Sequence, residues 1–498
     1  MRSLLAGLSL ALGLATHAAG AEPDLGRMTG GEVAALARAM PKGGELHNHI
    51  GGAVFAETLL AWAVEDGACV DIRALAIIGP CTPTADLRKA SEVAGDDGLR
   101  SSLVDSLSVR KPGFRDRSGH DQFFSAFSRN GMTAARAGDA MALVMDGLAR
   151  QNTWYLEAMV TPMGLRARLL GGSAPWTGDP AATRTALASG VAALVPLAIK
   201  ETDLMEARAR EVLKCGAADA RPGCGVTVRY LAQASRTGTV SQAFAQLQLG
   251  VALIAADPRW VGLQLVAPED NPAALANYAA HMQAVDYLTE HGRRAPAALH
   301  AGELTLAYAT PDHLSHHVAD AVRIAGARRI GHGVDIADET GAEALAGEMA
   351  GAGVLVEVNL SSNAAILGVS GREHPYAWLR ARGVPTSLST DDAGILRIDL
   401  SGEYARAAAE GATYGDLKRS ARNALAFSFL AGAGLWRDPG IYRRPEKACA
   451  GQIGRDAPRP GACADLVNHS DKAHEQWRHE ALIRSFEGGW PQRQLLSN

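Results

Sequence analysis

Neither sign of charge prevails in this sequence: 49 Lys and Arg face 53 Asp and Glu, a formal net charge of −4. A balance this close offers no support for nucleic-acid or membrane-surface partners. Past the first residues, no stretch has about 18 uninterrupted apolar positions, so no transmembrane helix is expected. Cysteine is sparse, six in 498 residues. No two have the C-x2-C spacing of a structural zinc site. No internal repeat or low-complexity block stands out. What remains is an ordinary soluble globular composition, 47% hydrophobic and 20% charged. The length allows one large core or two ordinary ones.

The first residues read as an export signal. Arg2 supplies a positive n-region, Leu4 to Leu14 a short apolar run, and Ala19-Gly20-Ala21 a small-x-small cleavage site. Residues 1–21 are therefore expected to be removed, leaving a mature chain that begins near Glu22 in a periplasmic or extracellular setting. No Cys lies near the cleavage point, which argues against a lipid anchor. The six Cys fall in three close pairs in loop-like stretches: Cys69/Cys81, Cys215/Cys224 and Cys449/Cys463. An even count in an exported chain predicts disulfides. Local pairing is the expectation among the fifteen connectivities that six Cys allow.

Strand-like runs alternate with helical ones along most of the chain. The strand candidates are Glu45–His49, Trp154–Val160, Val226–Ala232, Trp260–Val266, Ala297–His300, Arg329–Gly331, Val354–Asn359 and Pro385–Ser389. Amphipathic stretches lie around them, such as Gly31–Met40, Ala134–Arg150, Val240–Ala256, Ala273–Glu290 and His313–Ala325. Alternation alone gives an α/β class; eight units suggest a closed (β/α)8 barrel of the TIM type. Two segments break the rhythm. An insertion of about 69–130 follows the first strand and ends in Phe123, Phe124 and Phe127. A Pro-, Arg- and Gly-rich extension covers 431–498, with a helix expected near His474–Phe486. The barrel proper is thus expected over 22–430.

The chemistry gathers at strand ends. In His47-Asn48-His49, residues two apart on a strand face the same way, so both imidazoles point to one side. Leu299-His300-Ala301-Gly302-Glu303 ends a short strand in a His, with a carboxylate three residues on. The small residues between let the chain turn and a ligand approach the backbone. Arg329-Ile330-Gly331-His332-Gly333 places another His at a strand end, and Ser389-Thr390-Asp391-Asp392 closes the last strand on two carboxylates. In a barrel the C-terminal strand ends converge on one site. His47, His49, His300 and Asp391 then make a three-nitrogen, one-oxygen set that suits Zn2+ and leaves room for water. Glu303, His332 and Asp392 are the acid–base complement of a hydrolytic metal site. His313, His316 and His317 are read instead as partly exposed helix histidines.

These motifs, taken in order with Met40-Pro41-Lys42-Gly43-Gly44-Glu45, Trp154-Tyr155-Leu156-Glu157, Thr161-Pro162 and Leu360-Ser361-Ser362-Asn363, resemble the adenosine deaminase family. Within it they resemble the secreted, growth-factor-related and bacterial exported branch. The resemblance runs from about Met40 to Phe429. It implies one zinc per chain on His47, His49, His300 and Asp391, and hydrolysis of adenosine and 2′-deoxyadenosine to the inosine product plus ammonia. Glu303 would protonate the ring nitrogen beside the attacked carbon. His332 would orient the attacking water and help deprotonate it, and Asp392 would hold that water or a ring nitrogen. Two-metal relatives bridge their ions with a modified Lys on the fourth strand; Trp260–Glu269 contains none. The cysteine-ligand deaminases carry a P-C-x-x-C run, and none occurs here.

Two positions depart from the family. The Asp that contacts the ribose in well-known members is Gly51 here, and the purine-contacting Gly after the fourth strand is replaced near Ala267 or Pro268. Glu269 or Asp270 would then serve the ribose, Gly302 would approach the purine, and the Phe cluster would form an apolar lid or, alternatively, a helix packed on the barrel. The expected partner is a small purine nucleoside. The alternatives are another amino-purine or modified nucleoside as substrate, and a non-catalytic binding or signalling protein on the same barrel.

Overall fold

The computed structural model describes residues 22–111 and 117–495, with no side-chain description beyond 490; the expected export signal, 1–21, lies outside them. The first barrel strand, β1 (Gly43–His49), is followed by a small antiparallel sheet of β2 (Ala68–Asp71), β3 (Ala76–Pro80) and β4 (Leu87–Lys89) in the order β3-β2-β4. Seven strands then alternate with helices: β5 (Thr153–Val160), β6 (Thr227–Ser235), β7 (Trp260–Val266), β8 (Ala298–Ala301), β9 (Arg329–His332), β10 (Leu355–Val358) and β11 (Thr386–Leu388). All eight barrel strands lie where the alternation places them, within a few residues at each end. All but β6, which is half-buried at five of its nine residues, are buried along nearly their whole length, as a parallel sheet wrapped in helices requires.

Parallel pairing runs β1-β5-β6-β7 and β8-β9-β10-β11. Two bridges join these halves. Leu263 lies beside Ala297 between β7 and β8, and Asn48 beside Asp391 between β1 and the end of β11. At the second seam the Asp391 N–H donates to His47 O (3.0 Å) and the His49 N–H to Asp391 O (3.1 Å). The strands therefore form one cycle of eight, the TIM-type (β/α)8 barrel. The residues that complete the ring are those singled out for metal binding.

The insertion is the β2–β4 sheet, pinned by the Cys69–Cys81 disulfide, and three helices. The last of these, Gly119–Phe127, packs on Leu360–Ile366 and Ala393–Leu396 at the C-terminal end of the barrel. The extension caps the opposite end. Its helix Asp471–Leu495, longer than expected, packs on β1 and on helix Tyr414–Ala426. There His479 Nε2 lies 3.2 Å from Pro41 O, and Glu480 takes both arms of Arg422 at 2.7 Å. The other two disulfides, Cys215–Cys224 and Cys449–Cys463, are also local pairs.

Two helical expectations change. Ala273–Glu290 is two helices, Pro272–Ala276 and Tyr278–Thr289. His313–Ala325 is also two, Pro311–Leu314 and His317–Arg323, broken at Ser315-His316. A 33-residue helix, Pro180–Val212, is one the sequence reading does not single out. By length and composition it is apolar enough to cross a membrane. It packs between helices Ala137–Ala149 and Val240–Ala256 on the outside of the barrel.

Candidate metal centre and active site

The alternation of β1 puts His47 and His49 on one face, and the barrel brings β8 and the turn after β11 against them. Asp391 Oδ1 lies 3.4 Å from His47 Nε2 and 3.3 Å from His49 Nε2, and His49 Nε2 lies 3.4 Å from His300 Nε2. A tetrahedral ion with bonds of about 2.0–2.1 Å separates its ligands by about 3.3–3.4 Å. These three separations fit such an ion and link the four expected ligands in a row, His47 to Asp391 to His49 to His300; the four-residue group in mutual ligand range holds His332 in place of His49. His47 Nε2 is buried without a hydrogen-bond partner, a cost of about 1–3 kcal/mol that a metal bond would remove. His332 stands beside this set, with Nε2 3.9 Å from Asp391 Oδ2, and lies within ligand range of His47, His300 and Asp391.

The electrostatics suit a cation. Burial disfavours a charged His47, yet Asp391 and Glu357 override it and push its pKa up to about 10. The space between those two carboxylates thus stabilises positive charge. Burial takes His49 down to about 4 and holds His300 well below the usual range, leaving both as neutral donors of lone pairs. Burial opposes ionisation of Asp391, but the close approach of His47 and the other surrounding imidazoles hold it below the carboxylate range. Burial, aided by the Asp391 charge, raises Glu303 and Asp392 well above it.

Several supporting residues have no role assigned by the sequence, although Glu157, Arg329, Ser362 and Asn363 stand within its quoted motifs. Glu357 on β10 holds His47 Nδ1 at 2.7 Å through one oxygen and Arg329 Nε at 2.5 Å through the other. Arg329 reaches on to Glu157 at 2.5 Å, so a buried charged chain runs down the barrel interior. Gln233 Oε1 orients His49 Nδ1 (3.0 Å), and Ser362 Oγ donates to Asp391 Oδ2 (2.7 Å). A further chain fixes His332. The Tyr376 N–H donates to His374 Nδ1 (3.1 Å), which leaves His374 Nε2–H to donate to Asn363 Oδ1 (3.0 Å). The Asn363 amide then donates to His332 Nδ1 (2.9 Å). With His332 pushed down to about 3 by burial, the ring is neutral and its proton rests on Nε2. That tautomer points its N–H toward Asp391 Oδ2, 3.9 Å away and beyond hydrogen-bond reach, and has no free Nε2 lone pair to take a proton.

The centre opens into a cavity of about 500 Å³ lined by His49, His300, Glu303, His332, Asp391 and Asp392 on one side. The other walls include Phe123, Phe124, Phe127, Val266, Ala267 and Gln233. The three Phe belong to both expected readings: Phe123 is buried against Ile366, Ile395 and Leu396, while Phe127 is largely exposed at the cavity edge. Ala267 takes the glycine's place with the glycine's conformation, φ +84. His332 (φ +70) and Asp391 (φ +59) also adopt the left-handed region, strain of about 1–3 kcal/mol each that the packed surroundings must hold.

Three expected substrate contacts are corrected. Glu269 does not line the cavity. It is buried, accepts hydrogen bonds from the N–H of Gly302 (3.2 Å) and Glu303 (2.9 Å), and lies 2.6 Å from His317 Nδ1. The backbone around the catalytic carboxylate needs that acceptor. Asp270 turns to His120 Nε2 at 3.0 Å and also leaves the cavity wall. Gly302 is required by its turn, φ +74, where a Cβ would come within 2.3 Å of Asp335 Oδ1, and its N–H is spent on Glu269. His317 is buried rather than partly exposed; His313 and His316 are half-buried.

The profile of the family described as adenosine deaminase matches residues 130–434. The match begins after β1 and so excludes His47 and His49. An adenosine deaminase of Serratia proteamaculans is 33% identical over 135 residues, 27% of this chain and 37% of that protein. The chain spans only 37–56% of the length of such curated relatives. Among solved structures, an Arabidopsis N6-mAMP deaminase superposes with a TM-score of 0.53 at 20% identity, covering 80% of this chain and 96% of its own. An amidohydrolase from Burkholderia ambifaria with bound Zn gives 0.52 at 19%, covering 80% and 88%. These two support the barrel fold alone. The family match extends over well more than half of the residues and takes in β5 to β11, His300, Glu303, His332, Asp391 and Asp392; the chain belongs to the adenosine deaminase family.

Proposed function

We propose that this chain is a zinc-dependent aminohydrolase that converts adenosine and 2′-deoxyadenosine to the corresponding inosine and ammonia. The observation that carries this reading is the meeting of His49, His300 and Asp391 with Glu303, His332 and Asp392 on the wall of one cavity, with His47 buried behind them 3.4 Å from Asp391. A bound zinc would supply Lewis acidity and make hydroxide available near neutral pH. Glu303, protonated through burial, delivers a proton to the ring nitrogen beside the amine-bearing carbon. His332, held by Asn363, donates from Nε2 and so orients the attacking oxygen. Its tautomer favours this orienting work over proton abstraction. Asp392 holds the substrate or the attacking water from the side of Gly52. The phenylalanines and Val266 cover the flat face of a base.

The wall of the cavity contains no Lys or Arg among the described residues. A phosphate placed there would lack a cationic partner, which supports a nucleoside over a nucleotide. Another amino-purine remains the second reading, because the Phe wall would cover any purine. An oxidising, exported setting is part of the proposal and is supported by the three disulfides. The test is ammonia release from adenosine, 2′-deoxyadenosine, adenine and AMP, with Glu303→Gln as control. That variant should keep its metal and lose at least about 10²-fold in rate. Activity on adenine or AMP with none on nucleosides would replace the substrate, and wild-type turnover by Glu303→Gln would remove the assigned acid.

A further inference from the structure

His313, His316 and His317 flank the break between helices Pro311–Leu314 and His317–Arg323. One nitrogen from each lies within 4.8 Å of the others. Two of the three rings are already held as metal-ligating imidazoles are held, with one nitrogen on a carboxylate and the other free. His317 Nδ1 lies 2.6 Å from Glu269 Oε1, and the ring stacks on Tyr278 at 3.6 Å between centroids. Its Nε2 is left buried with no partner. His316 Nδ1 lies 3.0 Å from Asp320 Oδ2, which leaves Nε2 as its ligating atom. His313 Nδ1 is likewise buried without a partner. Two of these three neighbouring rings thus bury a nitrogen with no partner among the described residues, a desolvation cost that a metal bond would offset. Behind them Asp335 and Glu339 bury further unpartnered carboxylate oxygens.

We propose that His313, His316 and His317 form a second metal site, separate from the catalytic centre, that takes a borderline divalent ion such as Zn2+. Imidazole donors suit zinc, copper and nickel rather than magnesium or calcium. Three nitrogens leave the fourth position to water. Tetrahedral ligands stand about 3.3 Å apart, so the half-exposed His313 and His316 must close by up to about 1.5 Å on the fixed His317. The site touches the loop that carries Glu303 through one residue. Glu269 holds His317 with one oxygen and the N–H groups of Gly302 and Glu303 with both. An ion on His317 strengthens that clamp and stiffens the loop carrying Glu303.

Metal counting on the full-length protein, dialysed against excess Zn2+ and then freed of loosely held ion, tests this. Wild type should hold two equivalents. His313→Ala/His316→Ala should hold one and keep its turnover. Asp391→Ala should lose turnover and hold one. Co2+ in place of Zn2+ gives a d–d spectrum whose second component should vanish in the double variant. Amide exchange at Gly302–Glu303 should slow on the second equivalent in wild type only. One equivalent in wild type that Asp391→Ala removes would overturn the second site, as would two equivalents in a folded double variant. One equivalent that survives Asp391→Ala but not the double substitution would support this site and defeat the catalytic one. If the double variant fails to fold, His316→Ala alone, at the exposed edge, should lose the second equivalent.

Discussion

Glu357 Oε2 lies 2.7 Å from His47 Nδ1, both side chains fully buried and 310 residues apart in sequence. The contact fixes which nitrogen of His47 carries the proton and so aims Nε2 at the shared space with Asp391. The same carboxylate is tied to Arg329; burial opposes its ionisation, but Arg329 and His47 override it and hold its pKa below the usual value. Glu357→Gln should preserve the fold and loosen the catalytic metal by about 10–100-fold, the usual cost of losing such a partner. Competition with a chelating dye measures this directly. An unchanged metal affinity would show that His47 needs no such orientation.

Asp392 is placed by an absence. A Cβ built on Gly52 would fall 1.8 Å from Asp392 Oδ1, so only glycine leaves room for that carboxylate. Gly52→Ala should therefore displace Asp392 while sparing the ligand Asp391. The expected result is retained zinc with kcat reduced by at least about 10²-fold, the lower end for loss of an acid–base group. Normal kcat in a zinc-loaded Gly52→Ala protein would mean that Asp392 takes no part in turnover.

How much of this was legible in the sequence depends on the range of the interaction. The eight strands announce themselves because each is a short apolar run between helical stretches. The ligands announce themselves because His or Asp at strand ends is costly unless used. Glu269 was misread because a carboxylate after a strand looks like a solvated loop residue; only the fold shows three donors waiting for it. Glu357 acts on His47 from 310 residues away, so no local spacing marks it; Asn363 stands in a family motif, but only the fold shows that it holds His332 and is held by His374. Helix Pro180–Val212 escaped because Gly190 and Pro196 interrupt its apolar pattern, as breakers usually do. Ala267 is a substitution whose backbone still obeys the glycine rule, which no spacing argument reveals.

The extension is expected to be part of the barrel's stability and to give it a pH signature. His479 is buried at the base of the barrel beside Pro41, and burial pushes its pKa down to about 4. An unfolded chain takes a proton near pH 6.5, while the folded ring stays neutral until about 4. Stability is thus intact above about 6.5 and is lost as the pH falls toward 4, by up to roughly 3 kcal/mol from this residue. His479→Gln keeps a neutral donor and has no proton to gain. Denaturant titrations should show the variant gaining on the wild type as pH drops through that window. A constant difference between the two across pH 4–7 would mean that the folded ring takes a proton as readily as the unfolded chain does.

The sugar end of the substrate is the place where this chain differs most from the family pattern. Gly51 stands where a ribose-binding carboxylate is expected, and a Cβ there would meet nothing within 4 Å. Gly51 also lines a second cavity, of about 800 Å³, which shares Gly51 and Gln233 with the first. A substituent on the 5′ oxygen thus has an exit past Gly51, and no carboxylate is left unpaired when that hydroxyl is blocked. An unpaired buried group costs about 1–3 kcal/mol; without one, discrimination should be small. We expect kcat/KM for 2′-deoxyadenosine and for a neutral 5′-blocked adenosine to fall within about tenfold of adenosine, or 1.4 kcal/mol. AMP should be poorer, since its phosphate must reach Arg166 or Lys200 across the second cavity to find a cation. Gly51→Asp has the space to restore the missing acceptor, and should raise the preference for a free 5′ hydroxyl by about tenfold or more. Strict rejection of the 5′-blocked compound by the wild type would show that another group, Gln233 being the nearest polar one shared by both cavities, already reads that hydroxyl.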